Sequence, residues 1–216
     1  MWVIWQKRHM AKGHMKQKIV VIGIDPGEAL EIIINAIAKQ NLFATISAVI
    51  SPLERCGLIE TAQKFQIPTE FFSLPPPSKS QGFYDKPLHA IIEKYSADLI
   101  ILIGYTRILS ASFIEHYPKK IMNVHGSLLP KYRGLIGEET QKAVLAAGDK
   151  YTGCTIHWAI KEVDAGPIIV QKTCPVDPDD TPYTLRRKLI PLAGEAYIAA
   201  IKSINQVLSN TEALDT

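Results

Sequence analysis

A chain of 216 residues that is 47% hydrophobic is long enough for one sizeable buried core and is read most simply as a single domain. Its 24 Lys+Arg against 21 Asp+Glu leave a net charge of only +3, and no basic cluster stands out, which argues against nucleic acid and for a small-molecule ligand. Cys56, Cys154 and Cys174 have neither the even count nor the CxxC spacing of a disulfide framework or zinc knuckle, and no apolar run approaches the ~20 residues of a membrane span. The expectation is a cytoplasmic protein, monomer or homodimer, with no membrane and no metal.

Residues 1–17 mix Trp2 and Trp5 with Lys7, Arg8, Lys12 and Lys16 and form no signal segment. They are set aside as an N-terminal extension, with the domain drawn over 18–210 and a short tail over 211–216. Residues 18–24 are a β-branched run stopped by Asp25-Pro26-Gly27, and 29–38 follow as a helix. A strand near 44–51, a helix near 53–65 and an extended piece near 69–74 come next. Pro75-Pro76-Pro77-Ser78 marks an exposed loop before a helix near 84–95.

Residues 98–104 (DLIILIG) are apolar almost throughout, as in a central strand covered on both faces, and 121–125 (IMNVH) make a second strand after a helix near 111–116. A Pro- and Gly-bearing loop at 126–134 leads to a helix near 138–147. Residues 154–160 and 168–176 read as two strands joined through Asp164-Ala165-Gly166-Pro167, and a helix near 183–208 closes the chain. The alternation predicts an α/β fold, a doubly wound and mostly parallel sheet with a Rossmann-like N-terminal half.

Asn123 and His125 are two apart on a strand, so they share a face at its end, and an amide with an imidazole suits a carbonyl passing to an oxyanion. Asp164 is a candidate carboxylate to set that histidine. On spacing alone, a turn-capping Asn with a bystander His and an ordinary Asp-Ala-Gly-Pro turn fit as well. Cys154 and His157 are three apart, which puts them on opposite strand faces and excludes a thiol nucleophile with its base. The 23–27 turn lacks G-x-G-x-x-G, so a nicotinamide dehydrogenase is also set aside.

Residues 121–134 (IMNVHGSLLPKYRG) and 153–171 (GCTIHWAIKEVDAGPIIVQ) resemble the signature of the 10-formyltetrahydrofolate-dependent formyltransferases. The resemblance is plain over 98–177 and fainter in the N-terminal half. It implies catalysis by Asn123, His125 and Asp164, with 10-formyltetrahydrofolate as co-substrate and no metal. It further implies a folate pocket at Tyr105, Thr106, Arg107, Ile108 and Leu109 and at the loop Ala159, Ile160, Lys161, Glu162 and Val163, with Gly126, Ser127 and Arg133 on the acceptor side.

Chain length and the second block are most like the branch that formylates glycinamide ribonucleotide in purine synthesis. In that branch the first strand runs into a Gly/Ser/Asn-rich phosphate loop, whereas here the loop is Ile24-Asp25-Pro26-Gly27-Glu28, a poor phosphate cradle. An amino sugar on a nucleotide carrier is the alternative acceptor, and a folate-binding module without catalysis is the non-enzymatic one.

Overall fold

The computed structural model describes residues 16–72 and 85–213, and the triple-proline loop expected at 75–78 lies outside them. Seven strands form one sheet: β1 (Gln17–Gly23), β2 (Ala44–Ser51), β3 (Thr69–Phe71), β4 (Leu99–Ile103), β5 (Ile121–His125), β6 (Tyr151–Trp158) and β7 (Ile168–Pro175). The helices are α1 (Glu28–Ala38), α2 (Gly57–Lys64), α3 (Asp85–Lys94), α4 (Ala111–His116), α5 (Glu138–Ala146) and α6 (Pro182–Ala213). Strand order is β3-β2-β1-β4-β5-β6-β7. Pairing is parallel from β3 to β5 and antiparallel at β5–β6 and β6–β7.

The alternation of side chains along β1 explains why this run makes a central strand. Ile19 and Val21 enter one core layer with Leu30 and Ile33 of α1, Leu58 of α2 and Tyr197 of α6. Val20 and Ile22 enter the opposite layer with Leu88 of α3 and Phe113 of α4. Every residue of β4 is buried, and each such Ile or Leu contributes about 1.5–3 kcal/mol relative to exposure. Tyr197 is fully buried, and its hydroxyl donates to the Leu102 carbonyl at 2.6 Å, satisfying the one polar atom it brings into the core.

From β1 the chain moves outward through β2 to β3, then returns to place β4 on the other side of β1. Connections on either side of that reversal leave in opposite directions, so a crevice opens outside the carboxyl ends of β1 and β4. No helix among the described residues is long and apolar enough to cross a membrane.

Several boundaries differ from expectation, among them β6, which runs Tyr151–Trp158 where 154–160 was expected, and β3, which ends at Phe71. Gln17 belongs to β1, paired with Ala44, a cross-strand bond that local composition does not reveal. The helix expected from 53 starts only at Gly57, because the Ser51 hydroxyl accepts from the Leu53 amide and 52–56 bend away first. Helix α6 continues to Ala213, so no break separates a tail at 211 from the domain.

Candidate active site

Asn123 and His125 stand at the carboxyl end of β5, on one face as their spacing requires. Antiparallel β6 brings His157 opposite Asn123 and Thr155 opposite His125. Beyond β6 the chain turns tightly, the Trp158 amide donating to the Pro167 carbonyl at 3.0 Å. Gly166 lies so close that a Cβ there would overlap the Trp158 carbonyl. Asp164 takes a left-handed backbone (φ 52°) in this turn, an uncommon conformation for a residue with a side chain. The result is an inward-facing carboxyl only 8% exposed.

The Asp164 carboxylate is shared. Oδ2 lies 3.2 Å from His125 Nδ1 and accepts from the Gly134 amide at 3.0 Å, while Oδ1 lies 3.5 Å from His157 Nε2. Burial opposes its charge, but the bond and charge of His125 and the Gly134 amide outweigh burial and hold the carboxyl well below the usual carboxylate range.

His125 Nε2 meets the Tyr132 carbonyl at 3.1 Å. Both ring nitrogens therefore face acceptors, and a doubly protonated ring satisfies both. His157 gives Nδ1–H to the Trp158 carbonyl at 3.0 Å, which leaves Nε2 to accept from Asn123 Nδ2 at 3.2 Å. The Asn123 amide carries two N–H groups, so one remains for a ligand.

These side chains form the wall of a cavity of about 330 Å³ at the crevice between β1 and β4. Tyr105, Thr106, Arg107, Ile108 and Leu109 line it, as do Ala159, Ile160, Lys161, Val163 and Gly126, together with Asn123, His125, His157 and Asp164. Taken whole, the lining is more apolar than polar, which suits a flat heteroaromatic ring.

Three expected residues are not among the lining. Ser127 is fully buried, its hydroxyl spent on the Lys131 carbonyl at 2.8 Å, so it shapes the loop instead of meeting a ligand. Arg133 is exposed and donates through Nε to the Val163 carbonyl at 2.8 Å, tying its loop to the one that carries Asp164. Glu162 points to solvent.

Ile24, Asp25, Arg186, Leu189, Ile190 and Ala193 also line the cavity. Asp25 is 7% exposed and accepts the Gly27 amide at 3.0 Å. Burial pushes its carboxyl up, against the pull of that amide and of Arg186. Gly27 (φ 97°) starts α1, a turn that a side chain would strain.

Sequence reasoning passed over His157, weighing it only as a base for Cys154. The signal was its place in the strand pairing opposite Asn123, which appears only once β5 and β6 are known to be antiparallel. Cys154 faces the core as expected, and burial pushes its thiol up to about 12, which leaves it unreactive at neutral pH.

Sheet and site together define an α/β enzyme whose centre is an amide, two imidazoles and a carboxylate. Residues 17–201 match the formyl transferase family, and the chain belongs to it. The trifunctional purine biosynthetic protein adenosine-3 of Gallus gallus is 35% identical over 192 residues, 88% of this chain, which spans only 18% of that protein's length. The phosphoribosylglycinamide formyltransferase of Escherichia coli (strain K12) is 35% identical over 163 residues, covering 76% of this chain and 75% of that one. Among solved structures, glycinamide ribonucleotide transformylase 1 from Symbiobacterium toebii superposes with a TM-score of 0.79 at 31% identity, covering 88% of this chain and 87% of that chain.

Proposed function

We propose that this protein is a folate-dependent formyltransferase that moves the formyl group of 10-formyltetrahydrofolate to a primary amine, the amine of glycinamide ribonucleotide in purine synthesis. The observation that carries the reading is the Asp164 carboxylate bracketed by His125 and His157, with Asn123 alongside, in the wall of a cavity large enough for a folate head.

The co-substrate supplies the electrophilic formyl carbon, and the residues supply charge and protons. When the amine nitrogen bonds to that carbon, negative charge develops on the formyl oxygen. The free Asn123 N–H and the His125 imidazolium are donors for it. Asp164 orients His125, and the proton that the amine must shed passes through the Asp164 carboxylate and water to the leaving nitrogen. In the resting geometry His125 Nε2–H is held by the Tyr132 carbonyl, so an incoming oxygen competes for that donor. Tyr105–Leu109, Ala159, Ile160, Lys161 and Val163 hold the folate, and Gly126 borders the amine. The same reading takes the enzyme as cytoplasmic, monomeric or homodimeric, with a single domain and no metal in the chemistry.

Asp25 favours a second reading of the acceptor. A buried carboxyl followed by Pro26, which has no amide proton, is a poor seat for a phosphate dianion and a better one for hydroxyls of a nucleotide-linked amino sugar. The deciding experiment is turnover of 10-formyltetrahydrofolate with a panel containing both amines, read from the folate absorbance. Saturable turnover with glycinamide ribonucleotide supports the first reading, and turnover with the sugar alone supports the second. Deformylation with neither would refute formyl transfer to an amine.

A further inference from the structure

A second cluster of donor side chains lies away from the cavity. His89 and Glu93 are four apart on α3, one turn from each other on the same face. His116 is the last residue of α4. The rings of His89 and His116 stand edge to face with centroids 4.0 Å apart, and one donor atom of each of the three residues lies within 4.8 Å of the other two. None of the three lines the cavity.

Bonds of ~2.0–2.1 Å at tetrahedral angles put the donors of a zinc-type site about 3.4 Å apart. Closing to that spacing takes a shift of about 1 Å per side chain, which Glu93 and His116 are exposed enough to make. A separate feature points the same way. His89 Nδ1 lies 2.5 Å from the Tyr117 hydroxyl, so a ring that donates there presents its Nε2 lone pair outward, the arrangement in which an outer partner orients a metal-binding imidazole.

We propose that His89, Glu93 and His116 bind one divalent ion of the zinc class, with water in the fourth position, tying α3 to α4. Two imidazoles and one carboxylate are a donor set for Zn²⁺ and its neighbours, not for Mg²⁺ or Ca²⁺. Because α4 begins directly after the cavity-lining segment 104–109, the ion acts as a structural tie beside the site and takes no part in the chemistry.

The test is a Co²⁺ titration of the full chain after chelator treatment, read by visible absorption and reversed with Zn²⁺. One equivalent is expected to bind. The double substitution His89→Gln/His116→Gln should lower affinity on the order of 100-fold. The chain has six histidines, so His125→Gln/His157→Gln and His9→Gln/His14→Gln serve as controls that keep full affinity. Absence of saturable binding, or binding that survives the first pair and is lost with either control pair, overturns the proposal. Should circular dichroism show the first pair unfolded, Glu93→Gln at an exposed position must still weaken binding at least about tenfold, and unchanged affinity overturns it equally.

Discussion

Replacing Asp164 by Asn keeps the size of the side chain and one acceptor oxygen but removes the charge between the two imidazoles. The carboxylate oxygens lie 3.2 Å from His125 Nδ1 and 3.5 Å from His157 Nε2. A unit charge about 4 Å from an imidazolium centre is worth about 4 kcal/mol at an effective dielectric constant of ~20. At ~1.4 kcal/mol per decade, turnover should fall about a thousandfold. The charge matters most as negative charge builds on the formyl oxygen, so kcat should carry the loss while the KM for the folate stays within about threefold. The assay is steady-state turnover at saturating amine, followed by folate absorbance. A variant within tenfold of wild type would falsify the role given to Asp164. Stability offers an independent readout. Because the native carboxyl titrates well below the usual range, its stabilisation is present above about pH 4 and is lost as pH falls through its folded value. The melting temperature of Asp164→Asn should therefore lie below wild type at pH 7, with the gap narrowing toward pH 3.

Asn123→Ala should cost ~3–4 kcal/mol of barrier if its free N–H meets the oxyanion, and a loss under tenfold in kcat would leave it only a brace for His157. Asp25→Asn keeps an acceptor for the Gly27 amide while removing a buried charge whose carboxyl is pushed up. Its melting temperature should exceed wild type at pH 7, and the gain should vanish below about pH 4, where the native carboxyl is protonated in both states; an equal gain at all pH values would refute the electrostatic cause. Gly166→Ala forces a Cβ into the Trp158 carbonyl, so either the turn opens and kcat collapses with Asp164 displaced, or the chain fails to fold. Wild-type turnover in that variant would show that the turn does not position the carboxylate.

What could be read from residues alone follows local rules. Runs such as 18–24 and 98–104 declare buried strands because β-branched and aliphatic side chains are needed on both faces of a parallel sheet, and β1 and β4 are those strands. The two-residue spacing of Asn123 and His125 places them on one face before any pairing is known. Long-range bonds decided the rest. Whether β6 runs antiparallel to β5, and in which register, puts His157 beside Asn123, and no periodicity along either strand carries that information. The left-handed turn that swings Asp164 under two imidazoles depends on the Trp158 and Gly134 backbones. Ser127 looks like a ligand contact in sequence but its buried hydroxyl is taken by the Lys131 carbonyl, and Arg133 ties its loop to the Val163 carbonyl through Nε, because a polar group takes the partner that folding brings to it. Sequence alone determined the class of fold and the chemical types of the central groups, since those depend on hydrophobic period and side-chain identity. Tertiary structure decided which groups stand against one another in the cavity wall and which hold loops, since hydrogen-bond partners are set by contacts between segments far apart in the chain.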